Sequence, residues 1–174
     1  MNRIVITAII IAVYLFSSLS KVSAAVFINE VFPNPSGSEE SSEWIEVYNS
    51  GPDEVDLLGW KLSDDGVKTY LIASGSAISV GGFLTFEKSV TKIELNNSGD
   101  VVRLYNPQDQ MVDAQGYSSI SEEISIGRSS EGGGMWVICS SPTKAASNNC
   151  PLPTSTPQPT LTPTNTPAAT VAPT

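Results

Sequence analysis

Turn-forming residues punctuate the stretch from Val26 to Cys150 again and again. Pro33-Asn34-Pro35-Ser36-Gly37, Asn49-Ser50-Gly51-Pro52-Asp53, Asp64-Asp65-Gly66, Gly81-Gly82, Asn97-Ser98-Gly99-Asp100, Asn106-Pro107 and Gly132-Gly133-Gly134 each supply the backbone freedom or side-chain bonding that a turn needs. Between them lie short apolar alternations. These predict strands at Val26 to Phe32, Trp44 to Asn49, Asp56 to Ser63, Thr69 to Ala73, Phe83 to Glu87, Lys92 to Leu95, Val101 to Tyr105, Met111 to Ala114 and Met135 to Cys139. No window carries an apolar stripe at helical spacing with a cap at each end. The expected fold is all-β, a sandwich of roughly seven to nine strands.

The alternation also assigns faces. Ile45 and Val47 share one face of their strand, and Trp44, Glu46 and Tyr48 the other, so Trp44 is a candidate for an outer face. In Leu58-Gly59-Trp60-Lys61-Leu62 the even positions are apolar, which assigns Trp60 to the core. Trp136 follows a glycine triplet, and two roles stay open: an anchor that closes the last strand over the core, or an exposed ligand platform.

The flanks have different physics. Met1-Asn2-Arg3 precedes an apolar run from Ile4 to Phe16, and small residues end in Val22-Ser23-Ala24. A positive start, a short apolar run and a small-residue cut site read as a secretory signal over residues 1–24, cleaved after Ala24 or Ala25. The rival is an uncleaved anchor, although a spanning helix needs about 20 apolar residues. Residues 26–150 form the domain, and 151–174 hold 7 Pro and 8 Thr with no charge. Such a tract builds no core and favours extended conformations, a disordered linker or tail. With no anchor after it, the expectations are a tether at the N-terminal segment, a free tail, or a sequence truncated from a longer one.

The whole chain has 9 basic and 18 acidic residues, a formal charge of −9, and no histidine. Removal of the signal, with Arg3 and Lys21, leaves 7 basic against 18 acidic residues, a charge of −11. Nucleic-acid binders normally show a lysine or arginine stripe that neutralises phosphates. This chain has none, so no nucleic-acid partner is expected, and membrane contact only through an uncleaved N-terminus or a missing C-terminal anchor. The missing histidine removes Ser-His-Asp and Cys-His nucleophile systems and His-ligated zinc. No catalytic residue, cofactor or metal is assigned. Cys139 and Cys150 are the only thiols in an exported chain, and an intramolecular disulfide is the default for them, with pairing to another chain as the alternative.

Glu30 and Glu46 stand in similar strand contexts, and Arg128 lies near a later strand end. A carboxylate–guanidinium cluster of these three is conceivable, structural rather than catalytic. The spacing of two glutamates can resemble a glycosidase pair, but no motif marks a sugar cleft between them. The acidic loops Glu39-Glu40-Ser41-Ser42-Glu43, Asp53-Glu54-Val55-Asp56 and Asp64-Asp65-Gly66 offer oxygen ligands to Ca²⁺ without the spacing of the twelve-residue calcium loop.

Several segments in order carry a family resemblance. They are Ile28-Asn29-Glu30-Val31-Phe32-Pro33-Asn34-Pro35, Glu43-Trp44-Ile45-Glu46-Val47-Tyr48-Asn49, and Val55-Asp56-Leu57-Leu58-Gly59-Trp60-Lys61-Leu62-Ser63-Asp64, followed by Gly81-Gly82-Phe83-Leu84, Leu95 to Asn106, Asp113, Ile126-Gly127-Arg128 and Ser141-Pro142-Thr143. Together they resemble a bacterial lamin-tail domain across nearly all of residues 26–150. The resemblance implies an immunoglobulin-like β-sandwich with no general catalytic residues. It further implies an exported module, often joined to hydrolases, nucleases or surface domains. Members commonly read Pro-Thr-Pro-Gly and then Asn near the end, where this chain has Lys144 and Ala145 in the second Pro-Gly positions before Asn148.

The expected function is therefore a secreted or cell-surface, non-catalytic module for protein or glycan contact or structural display. The alternatives are an accessory domain of a larger secreted hydrolase or nuclease, and a Ca²⁺-dependent adhesion domain.

Overall fold

The computed structural model describes residues 26–37, 43–66 and 68–151. The signal segment with Ala24, residues 39–42 of the first acidic loop and the tail after Pro151 lie outside the described residues.

Strands dominate: β1 (Val26–Phe32), β2 (Trp44–Asn49), β3 (Val55–Asp56), β4 (Lys61–Ser63), β5 (Thr69–Leu71), β6 (Ala77–Ile78) and β7 (Phe83–Glu87), then a single helical turn, α1 (Lys88–Thr91), then β8 (Gly99–Tyr105), β9 (Met111–Ser118), β10 (Ser125–Ser130) and β11 (Gly133–Cys139). The fold is all-β. All strand pairs are antiparallel, in a five-stranded sheet of order β11-β10-β1-β2-β7, a four-stranded sheet of order β5-β4-β8-β9, and the small pair β3-β6.

The two larger sheets share one core. Val26, Ile28, Val31, Ile45, Val47 and Phe86 come from the five-stranded sheet, and Leu62, Val102 and Leu104 from the four-stranded one. Tyr70 and Phe86 meet across it with ring centres 6.1 Å apart. Burying each such aliphatic or aromatic side chain contributes about 1.5–3 kcal/mol, which is what holds sheets with no covalent link between them.

Several expectations need correction. The run Asp56 to Ser63 is two strands, because Leu57 to Trp60 forms a turn in which the Trp60 N–H donates to Leu57 O (3.0 Å) and Gly59 adopts φ +81°. Lys92 to Leu95 is not a strand. Lys92 ends α1 in the left-handed region at φ 59°, and Ile93 and Leu95 reach the core from a loop whose Leu95 N–H is bonded to a side chain, Glu43 Oε2, at 2.9 Å. β8 and β9 run longer than expected, while β6 and β10 carry too little apolar alternation to have been read. Trp44 does lie on the outer face of its sheet, with Glu46, but is covered there, buried against Phe32 with ring centres 5.6 Å apart.

A register shift between Ile28 and Glu30 inserts one extra residue into β1. Such a bulge breaks the alternation locally. Ile28 and Val31 both lie in the core, so Asn29 and Glu30 fall between them and bond on the other side of the sheet.

Candidate functional site

The outer face of the five-stranded sheet carries two of the candidate residues, Glu30 and Glu46. The two are cross-strand partners in β1 and β2, and both are fully buried. Two carboxylates directly opposite in an antiparallel pair repel each other. Their burial comes from the segment after β11, which folds back over the sheet as a strap.

Each carboxylate oxygen accepts from a neutral donor. The Thr143 N–H donates to Glu30 Oε1 (3.1 Å) and Oε2 (3.2 Å), the Thr143 hydroxyl to Oε2 (2.6 Å), and the Ser125 hydroxyl to Oε1. Glu46 Oε2 accepts from the Ala145 N–H (2.6 Å) and the Thr85 hydroxyl (3.4 Å), and Glu46 Oε1 from Asn29 Nδ2 (3.2 Å). Hydrogen bonds to charged groups are worth about 1.5–3 kcal/mol each. Even so, burial dominates at Glu46 and, with the Glu30 charge adding to it, raises its pKa to about 7. At neutral pH this side chain sits at its midpoint of ionisation.

Asn148 ties the strap to two strands at once. Its Nδ2 donates to Asn29 O (3.0 Å) and Arg128 O (2.9 Å), and its Oδ1 accepts from Asn29 Nδ2 (3.0 Å). The strap ends in a disulfide, for Cys139 in β11 is bonded to Cys150. Gly127 lies beneath. A Cβ there would meet Cys139 Sγ at 2.9 Å, Asn148 Nδ2 at 2.9 Å and Cys150 Sγ at 3.2 Å, so only glycine lets the strap lie this close.

Within the strap, the Ala146 N–H donates to Thr143 O (3.1 Å), which makes Lys144 and Ala145 the central residues of a turn. Ala145 adopts φ 58°, the left-handed region. A turn with positive φ at its third residue favours Pro followed by Gly. Those are the residues that lamin-tail-like sequences commonly carry here, and this chain holds the same turn with Lys and Ala.

Arg128 does not join the glutamates, which corrects the conceived three-residue cluster. Glu30 pairs with Gly127, so alternation sends the next side chain, Arg128, to the opposite face. There Arg128 Nη2 bonds Asp113 Oδ2 in β9 at 2.7 Å, both side chains largely buried, and Arg128 Nε donates to Ile28 O at 2.8 Å. Asp113 Oδ2 also accepts from the Ile28 N–H (2.9 Å). The pair thus joins the two large sheets and satisfies both polar groups of Ile28 where the bulge begins.

Trp60 is buried in the core. Trp136 is half-buried against it, with the Arg128 guanidinium 4.8 Å from its ring, so it is both a partial anchor and a cation–π partner.

The acidic loops are engaged locally. Asp56 Oδ1 accepts from the Leu58 N–H and Asp64 Oδ1 from the Gly66 N–H, each at 2.9 Å, while Asp65 pairs with Arg103 at 2.7 Å. Glu43 is buried and pairs with Lys88 at 2.9 Å.

A family model, Lamin Tail Domain, matches residues 20–119, more than half of the chain. The chain belongs to the Lamin Tail Domain family. A search among curated proteins found no match. Lamin tail domains are non-catalytic, and among the described residues no group of three or more His, Cys, Asp or Glu side chains is arranged to hold a metal ion. The matched stretch carries Glu30, Glu43, Glu46, Trp60 and Asp113. β10, β11 and the strap follow it in sequence, yet β10 pairs with β1, β11 pairs with β10, and the strap covers the glutamates of this lamin tail domain. Sequence reasoning did not identify Thr143, Ala145 and Asn148 as the glutamates' covering. The signal available was the Ser141-Pro142-Thr143 motif and Asn148, which the family resemblance already marked.

Proposed function

We propose that this lamin tail domain is an exported module for protein contact or structural display at the cell surface, folded as an immunoglobulin-like sandwich of its two large sheets. The family membership supports a binding role. The observation that carries the reading is the state of the Glu30–Glu46 pair: every carboxylate oxygen is occupied by the chain's own donors and both side chains are fully buried. Carboxylates buried and bonded this way lock a strap and are not presented to a sugar. Export is supported by the charge pattern of residues 1–24 and by the disulfide, a bond that persists in oxidising compartments. The Pro/Thr tract beyond Pro151 would hold the domain away from whatever bears it.

The test is capture of partners from a cell-surface extract by the full chain, immobilised oxidised or after reduction. A specific protein retained only by the oxidised form supports the reading. Hydrolytic turnover that co-purifies with the homogeneous chain would overturn it.

A further inference from the structure

The five-stranded sheet overhangs the four-stranded one at β11. The Arg128–Asp113 bond sets β9, an edge strand, opposite β10 and β1. Ile126 is paired with core residue Val31, and Ile138 with Ile126, so Ile138 lies on the core-facing side of β11. Yet Ile138 is 54% exposed. Beside it on the same side is half-buried Trp136. An inward-facing isoleucine in the open means that, among the described residues, no strand of the second sheet lies beneath it.

β9 borders the uncovered area. Among the described residues, its eight residues, Met111–Ser118, pair only with β8. Edge strands are usually blunted by Lys, Pro, a β-bulge or an inward charge. β9 has no Lys, Arg or Pro; its bulge is confined to the start of its pairing, where the register shifts between Leu104 and Tyr105, and its one charged side chain, Asp113, is neutralised by Arg128. A strand added there would lie roughly 4.8 Å from β9 and, at the usual sheet spacing of about 10 Å, directly under Ile138 and Trp136.

We propose that this groove takes an extended segment of another protein, apolar at every second residue and flanked by Lys or Arg. The inference rests on the contact-module reading and names the partner's chemistry. The pairing supplies backbone hydrogen bonds to β9, and the alternate apolar side chains cover Ile138 and Trp136. Charge chooses the flanks. Glu122, just before β10, and Glu131, just after it, stand at opposite ends of the β10–β11 hairpin, and Arg128 is already paired. The chain as a whole carries −9. A second copy would bring acidic ends against acidic ends, whereas a basic-flanked strand meets opposite charge.

The probe is a synthetic peptide of alternating valine and threonine with lysines at both ends, added to the oxidised full chain. Amide exchange should slow along Val112 to Tyr117. A peptide with glutamates in place of the lysines, and the variant Ile138→Lys with the original peptide, should each bind about tenfold more weakly or worse. The Ile138→Lys melting temperature should match that of the parent, and Ile138→Val should retain binding. Equal binding by Ile138→Lys, or slowed exchange away from β9, overturns the groove. So does self-association of the chain that Ile138→Lys abolishes, which would assign the groove to a second copy. A surface protein captured equally by parent and Ile138→Lys rejects the groove and leaves the contact reading standing; a chain that binds the peptide as described but retains no surface protein sinks the contact reading instead.

Discussion

The β10–β11 hairpin has two faces treated in opposite ways. On the outer one, Gly127, Val137 and Cys139 lie under a strap held by a disulfide, by Asn148 and by two buried glutamates. On the inner one, Ile138 stands in the open beside Trp136 with a free strand edge next to it. A covalent bond and charge-assisted hydrogen bonds close the polar side, while the apolar side stays uncovered. Burying carboxylates costs free energy unless donors meet them, so the closed side defines the structure, and the open side is the surface left for a partner.

That contrast can be broken most forcefully at the disulfide. Cys139→Ala combined with Cys150→Ala should lower the unfolding free energy by about 3 kcal/mol, the entropy of a loop of this length, read from the urea midpoint. It should leave β1 to β9 folded.

A second lever of similar size is pH. Glu46 has a pKa of about 7 in the folded chain against the ordinary 4.5 of a solvated glutamate. Below about 4.5 both states hold the proton and stability is full. As pH rises from there to 7 the unfolded chain loses its proton first, so stability falls, by roughly 3 kcal/mol in all, and then levels off. Chemical denaturation across this window should show the fall in the parent chain and a much flatter profile in Glu46→Gln.

The turn at the strap's tip sharpens the same side with the opposite sign. Left-handed backbone costs a residue other than glycine about 1–2 kcal/mol, and a new glycine costs up to about 1 kcal/mol in chain entropy. Ala145→Gly should therefore raise stability by up to about 1 kcal/mol in calorimetry. The smallest effect belongs to the open side: Ile138→Lys should change stability by no more than about 0.5 kcal/mol, as expected of an exposed position.

The sequence made some of this contrast readable, for physical reasons that differ by region. β1, β2 and β7 are bounded by strong breakers and carry branched or aromatic residues, so their limits follow from pattern alone. β10, Ser-Ile-Gly-Arg-Ser-Ser, has small residues where it meets the disulfide and the strap, and small residues carry no strand signal. Ile93 and Leu95 imitate a strand because core residues on a loop can alternate too. Glu30 and Glu46 stood out by context, but their partners lie about 100 residues away in the chain, and no local rule couples such distances. Arg128 was attached to the wrong carboxylates because face assignment in β10 depends on a register that only the folded sheet defines.

Residue-resolved hydrogen exchange on the oxidised chain at about pH 6 tests the closed-and-open division directly. The Thr143 and Ala145 amides, bonded to buried carboxylates, should exchange as slowly as core amides of β1 and β2, while the amides on the free edge of β9 exchange rapidly. Rapid exchange at Thr143 and Ala145 together with protection along the β9 edge would contradict the account.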